Sequence, residues 1–510
     1  MDFINKNMLN KYKIIKHILV IFLYCTLLQT TALASEVKFS LQPIESKESK
    51  LISTWAISVP DNVMNKHSQL VLKDENNMII QADFSYALLW PSDNTRQYIR
   101  SLTISSGELQ RSKSDLFYSL EWQEGTTENI TDAEKQLSIT HHANVSAAWL
   151  ALSFYAPLKT SAQNKKITWF DNANIRYGKF MADPSLLNKK YQFDLNTAAI
   201  WLYDRPFNFY LLYLKTGDLY WKTKAHEASE FYRSHINNEG YFSLKEPNDF
   251  KYAYTQGLVL DYIFYPNKDT KEVIERIYKM TSSWPTEVKK EGFWTERHHS
   301  VALTSAISQW VISNDTNTLK RIRSFVSNTA NYLAYPYNGS CLKHSYLSHN
   351  GKKSDTQVCS PWMTALLVEQ FWRFYHLTFD YKSAHVIEMF SDFLINEGIF
   401  YFTYGKEYSA VPRYLATINS TKKGKYNAWS DLHHACDVAS AIAKAAYLKK
   451  IQNKEHSTLT LTLKNMLKTC RRSMHRSNSA DAWPVNPPRK FNWWYGSAAS
   501  FTWLLNELDI

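Results

Sequence analysis

Past residue 28 the chain has no apolar stretch of the roughly 20 residues that a helix needs to cross a bilayer, so no membrane span is expected in the mature protein. It has no Lys/Arg-rich arm, and a nucleic-acid partner is therefore not expected despite a formal charge of +12. It lacks a His-Glu-x-x-His motif or any comparably tight ligand spacing. A divalent cation could be held by four histidines and two acids at 294–299 and 429–434, but without such spacing no cofactor is expected. Cysteine is scarce, five in 510 residues, and Cys25 follows Tyr24 where a lipoprotein signal needs a small residue, which argues against a lipid anchor.

What is present at the N-terminus is an export signal. Lys6, Lys11, Lys13 and Lys16 precede the apolar run Ile18–Leu28 and the triplet Ala32, Leu33, Ala34, so residues 1–34 read as a cleaved leader and the protein as periplasmic or secreted. Cleavage removes four lysines and one aspartate and lowers the formal charge from +12 to +9. That excess favours encounter with polyanions, although a solvated basic surface explains it equally well. The four remaining cysteines suit an oxidising compartment. Cys341 and Cys359 would close a short loop. Cys436 and Cys470 are equidistant from the turn Gln452-Asn453-Lys454, so in an antiparallel helical hairpin they would lie side by side.

The mature chain reads as α+β and multidomain. Residues 35–190 carry short alternating or β-branched runs, such as Gln69–Lys73, Met78–Phe84, Arg96–Ile104 and Leu116–Trp122, and are expected to form a β-sandwich or barrel-like domain. Residues 191–510 repeat the pattern helix, polar turn, helix, with turns at Lys215-Thr216-Gly217-Asp218, Pro266-Asn267-Lys268-Asp269, Ser313-Asn314-Asp315, Thr378-Phe379-Asp380 and Gln452-Asn453-Lys454. A sixth first helix, Tyr495–Leu508, has no evident partner. First helices such as Ser300–Ile312 and Ala435–Leu448 are apolar on most faces, whereas Thr316–Leu333 and His456–Cys470 carry more charge. An (α/α)5-6 toroid with an inner and an outer ring is expected, an open α-solenoid being the alternative.

Parallel inner helices bring their starts to one mouth. Two of those starts share a motif: Trp294-Thr295-Glu296-Arg297-His298-His299 and Trp429-Ser430-Asp431-Leu432-His433-His434. Thr295 and Ser430 are placed as N-caps, which sets the histidines beside free N–H groups and the positive helix end. β-Elimination on a uronate needs a cation for the carboxylate, a base for the adjacent C–H proton and an acid for the leaving oxygen. Arg297 suits the first role, the pairs His298/His299 and His433/His434 the second, and Tyr495 or another tyrosine the third. Tyr254, Trp294, Glu296, Tyr337, Trp362, Arg413, Trp429, Asp431 and Trp494 complete the expected substrate-binding set, since tryptophans stack on the apolar faces of sugar rings. The bland reading is that paired histidines bond to neighbouring elements, tryptophans fill core and Glu296 and Asp431 answer the helix dipole.

The segments Leu70-Val71-Leu72-Lys73-Asp74, Ile79-Ile80-Gln81-Ala82, Leu89-Trp90-Pro91-Ser92-Asp93 and Ile99-Arg100-Ser101-Leu102, with Trp-Thr-Glu-Arg-His at 294–298, resemble exo-rhamnogalacturonan lyase-like proteins. The resemblance implies a RIFT-related β-domain before an α/α toroid and a lyase acting on an acidic oligo- or polysaccharide. The chain departs from that pattern at Ser92-Asp93-Asn94-Thr95 and stops where those lyases continue into a further β-sandwich. Two other readings stand beside the lyase. One is a glycoside hydrolase using carboxylates from Glu296, Asp355, Asp431 and Asp437; the other is a non-catalytic glycan-binding protein.

Overall fold

The computed structural model describes residues 36–44, 52–92, 97–107, 116–125, 130–132, 139–160, 168–290, 293–335, 341–350, 357–404, 407–416, 432–475 and 489–510. The expected leader at 1–34, Tyr337, Asp355, Trp429 and Asp431 lie outside them.

Two sheets open the described chain. Strands β1 (Glu36–Pro43), β3 (Gln69–Asp74), β4 (Ile79–Ile80), β7 (Leu116–Gln123) and β9 (His141–Val145) form one, in the order β4-β3-β7-β1-β9. Strands β2 (Ser53–Ser58), β5 (Ala82–Leu89), β6 (Ile99–Ser106) and β8 (Thr131–Asp132) form the other, in the order β2-β6-β5-β8. In β1, Val37, Phe39 and Leu41 are buried at every second position, as a strand with one core face requires. Phe39, Trp55 and Tyr118, from three strands in the two sheets, meet with ring centroids 6.0–6.3 Å apart. β6 is buried along nearly its whole length because its second face meets the helices: Ser101 Oγ donates to the Ile263 carbonyl at 2.7 Å.

The strands of this region end at Val145, so the β reading of residues up to 190 is corrected there. Ala147–Leu152 (α1) and Thr168–Ala182 (α2) are helices. In α2 the buried residues Phe170, Asn174, Tyr177 and Met181 are spaced four, three and four apart, a helical period that the surrounding polar residues conceal.

Five hairpins follow. They pair α3 (Arg205–Thr216) with α4 (Leu219–Ser234), α5 (Gln256–Phe264) with α6 (Lys268–Thr281), and α7 (Glu296–Ser313) with α8 (Thr316–Ala334). Then come α9 (Pro361–Thr378) with α10 (Tyr381–Phe393) and α11 (Ala435–Ile451) with α12 (Ser457–His475). Short strands β10 (His344–Ser345), β11 (Gln357–Val358), β12 (Ile399–Tyr404) and β13 (Glu407–Pro412) form two small hairpins between them. The chain ends in α13 (Arg489–Gly496) and α14 (Phe501–Glu507).

Three of the polar turns are one device. Gly217, Asn314 and Phe379 take left-handed backbone (φ +70, +56 and +54°), and the next residue is the aspartate N-cap of the second helix. The hydroxyl two residues before each cap, on Thr216, Ser313 or Thr378, accepts its N–H at 3.2 Å. One geometry repeated gives each hairpin the same reversal.

The first helices pack in a circuit, α3 on α5, α5 on α7, α7 on α9, α9 on α11, α11 on α13 and α14, and α13 on α3. The last member does have a partner, supplied from far upstream by α2. Trp494 Nε1 donates to Asn174 Oδ1 at 3.1 Å, Thr502 Oγ1 to Asp171 Oδ1 at 3.1 Å, and Phe170 packs edge-on against Phe501. Both expected disulfides are present, with Cα–Cα distances of 6.2 Å for Cys341–Cys359 and 4.8 Å for Cys436–Cys470.

Cys436–Cys470 joins the first turn of α11 to the last turns of α12 across 34 residues. Replacing both by serine should lower unfolding free energy by about 2–4 kcal/mol. Urea unfolding without reductant measures this, and unchanged midpoints would show that the bridge contributes nothing.

Candidate active site at the helix starts

The starts of α3, α5 and α7, the middle of α9 and the closing segment at 492–497 surround a cavity lined by Tyr203, Asp204, Tyr254, Gln256, Arg297, Glu369, Arg373 and Trp493. Asp204 builds its rim. Its carboxylate accepts from Phe207 N at 3.2 Å and from Gln256 N and Gly257 N at 3.1 and 3.0 Å, tying the start of α3 to that of α5. To do so the backbone adopts two consecutive left-handed residues, Tyr203 (φ 69°) and Asp204 (φ 56°), each non-glycine and each costing of order 1 kcal/mol. Burial raises the Asp204 carboxyl to about 6, with the three N–H donors working against that rise.

Five side chains then form a closed chain of contacts. The Arg297 guanidinium lies 5.8 Å from the Trp362 ring; Trp362 stacks on His434 (4.8 Å, 14°); His434 stacks on Trp493 (4.9 Å, 27°). Trp493 meets Tyr203 edge-on at 5.7 Å, and Tyr203 returns to Arg297 through a side-chain hydrogen bond. The segments around 294–299 and 432–434 therefore share one rim. Burial disfavours the charge on Arg297, and the neighbouring hydroxyls of Tyr203, Tyr254 and Tyr414, Tyr203 through a hydrogen bond, outweigh that together and leave it raised. Its Nε is buried without a hydrogen-bond partner, and burial keeps the Tyr254 hydroxyl protonated. His434 Nδ1 is 3.0 Å from Asp437 Oδ2, and burial raises the Asp437 carboxyl.

The depth of the ring is sealed by charge. Glu369 meets Arg373 Nε at 2.9 Å and Lys444 Nζ at 2.6 Å, Lys444 also donates to the Ser497 carbonyl, and Arg373 donates to the Gly496 carbonyl. Gln370 accepts from both Arg373 and Gln256, joining this floor to the rim.

The structure does not bring every expected residue to this cavity. On a helix, positions one and two past Arg297 are turned about 100° and 200° away, whereas Ser300, Val301 and Thr304 share its face and line the cavity. His298 bonds to Thr295 Oγ1 (2.6 Å) and stacks on Trp284. His299 accepts from Trp284 Nε1 and packs on Phe325, and Trp294 belongs to the same cluster. Glu296 braces α9 by accepting from Ser360 N (3.0 Å) and pairing with His344 (3.0 Å). Trp494 and Tyr495 face α2 and α3, where Lys215 Nζ lies 5.6 Å from the Tyr495 ring. Arg413 covers Phe400 on β12, and His433 lies 3.5 Å from Lys490 Nζ. Tyr203, Asp204, Glu369 and Arg373 are site members that the sequence does not single out, and Gln256 and Trp493 sit at helix starts without an assigned role. The available signal was a charged or amide residue recurring at helical spacing, 369, 370 and 373, inside an apolar helix. Among the described residues no group of three or more His, Cys, Asp or Glu is placed to hold a metal ion.

Burial holds His298 and His299 at about 3, against 6.5 when unfolded. Between these values the unfolded chain binds more protons than the folded one, so stability is complete above about 6.5 and is lost as pH falls through the window. Urea midpoints should drop steadily from about pH 6.5 to about pH 4; a flat profile would contradict neutral buried imidazoles. A Cβ on Gly257 would come within 2.6 Å of Asp204 Oδ1 and 2.7 Å of Phe207 N. Gly257→Ala should therefore cost about 1–3 kcal/mol in the same assay.

No protein-family model matches the chain, and no curated protein matches it. The resemblance to exo-rhamnogalacturonan lyase-like proteins therefore stands on its quoted motifs alone. Among solved structures, the chain is similar to an unsaturated glucuronyl hydrolase from Streptococcus agalactiae, at 11% identity over 68% of this chain and 93% of that one, with a TM-score of 0.44. It is similar also to a mutant of that enzyme complexed with dGlcA-GalNAc6S, at 12% identity with the same coverage and TM-score.

Proposed function

We propose that this protein is an exported carbohydrate-active enzyme with an (α/α) toroid, acting on a uronate-containing glycan by β-elimination at the cavity around Arg297. The observation that carries the reading is the company Arg297 keeps: three tyrosines and a tryptophan stand against it, and among the described residues it forms no ion pair, although Asp204 and Glu369 line the same cavity. A guanidinium desolvated without an acid partner is a cost that an anionic ligand removes. The uronate carboxylate supplies that anion, in bidentate form.

The chemistry follows from the neighbouring groups. Charge neutralisation at the carboxylate acidifies the adjacent C–H. We assign the base that takes that proton to His434, on the rim beside Trp493 and held through Nδ1 by Asp437. The electron pair forms a carbon–carbon double bond as the glycosidic C–O bond breaks, and the protonated Tyr254 hydroxyl delivers a proton to the leaving oxygen. Trp493, which lines the cavity, supplies an apolar surface for the sugar.

A hydrolase on the same ring would need two carboxylates free to flank the bond. Of its candidates, Glu296 accepts from Ser360 N and pairs with His344, and Asp437 pairs with His434, while Asp355 and Asp431 lie outside the described residues. The two disulfides fit an oxidising, extracytoplasmic location, and no helix among the described residues is long and apolar enough to cross a membrane.

Incubation with pectic, alginate and glycosaminoglycan polymers should release conjugated unsaturated ends that absorb in the ultraviolet. Arg297→Ala should lower that rate by about 100- to 1,000-fold with an unchanged urea midpoint. Reducing ends released without unsaturation would overturn the elimination mechanism, and an Arg297→Ala variant of full activity would remove the site.

A further inference from the structure

One buried acceptor at this cavity has its orientation fixed by the protein. Asn492, in α13, is 1% exposed and lines the cavity with Tyr203, Tyr254, Arg297 and Trp493. Its Nδ2 donates to two backbone carbonyls, Ile200 O at 2.9 Å and Leu202 O at 3.1 Å. Carbonyls only accept, so the amide cannot be turned over without setting oxygen against oxygen twice. Oδ1 is thereby committed as the free end, and it has no hydrogen-bond partner. A buried acceptor left without a donor costs about 1–3 kcal/mol.

We propose that Asn492 is the specificity-determining acceptor of the cavity, recognising a free hydroxyl or N–H donor on the bound sugar. The further identification of that sugar as the one whose acid group meets Arg297 rests on the uronate reading. The polar atoms at the wall then divide by role: Arg297 donates only, Asn492 Oδ1 accepts only, and the Tyr254 hydroxyl does either. A uronic acid with an unsubstituted hydroxyl presents the complementary set. A sugar methylated, acetylated or sulfated at that hydroxyl brings an acceptor to an acceptor, and the site excludes it.

The test is calorimetric titration of the full-length protein with galacturonate, glucuronate, their methyl glycosides and their singly O-methylated forms, alongside the neutral galactose and glucose series. Methylation at one hydroxyl should weaken binding about 10- to 100-fold, while methylation elsewhere has a much smaller effect. In Asn492→Ser the penalty at that hydroxyl should shrink to about threefold or less. If the variant does not fold, the methylation series on the wild-type protein still decides. Equal tolerance at every hydroxyl overturns the role of Asn492 and leaves the uronate reading standing. Neutral sugars that bind with the same positional penalty, while uronates fail to bind, would support Asn492 and overturn the acidic substrate. Binding by neither series overturns both.

Discussion

Lys222 is wholly buried among the rings of Tyr213, Phe264 and Tyr265, and its single described hydrogen bond is to the Ala143 carbonyl on β9. That contact fastens a strand to the helices, and its kind recurs. Arg100 lies 4.4 Å from the Trp90 ring and 5.9 Å from Tyr155, and Arg373 approaches Tyr155 and Phe207. Phe207, Arg373, Tyr155, Arg100 and Trp90 thus alternate ring and cation from the cavity floor into the β region. Burial brings Lys222 to about 7 and Arg100 to about 10, the desolvation that the aromatic faces partly offset. Arg297 belongs to the same class of cation, distinguished by its place at a cavity.

The second organising feature is the Asp204 carboxylate. A helix start normally satisfies its own N–H groups. Here one side chain serves two helices, which is possible only because Gly257 leaves the space and because Tyr203 and Asp204 accept left-handed backbone. The same strained turn places the Tyr203 ring against Trp493 and its hydroxyl against Arg297, so the rim's geometry follows from a local backbone choice.

Three of the five hairpins were legible because their turns carry physical signatures: a left-handed residue, then an aspartate cap, after a hydroxyl that bonds the cap's N–H. Both disulfides followed from counting residues about a turn. Arg297, Tyr254, Trp362 and His434 were legible as occupants of helix starts. What was lost is angular. Sequence proximity to Arg297 suggested His298, His299 and Glu296, but a helix sends consecutive residues to different faces, and these three bond to the ring's own wall. α2 was missed because its partner is about 320 residues away, as the Trp494–Asn174 bond records, and a repeat search sees only neighbours. Asp204 and Asn492 matter through backbone geometry and long-range carbonyls, which leave no local pattern.

The pairing of α2 with α13 and α14 also sets an order of assembly. Five hairpins can form from neighbouring residues as the chain emerges, but the circuit remains a horseshoe until its final segment meets one made near the start. Joining distant ends carries the largest loop entropy in the molecule. Trp493, Asn492 and the carbonyl partners of Arg373 and Lys444 all ride on that final segment. The pocket is therefore completed only by ring closure, and a chain lacking its closing helices would lose Asn492, Trp493, Gly496 and Ser497 from its wall.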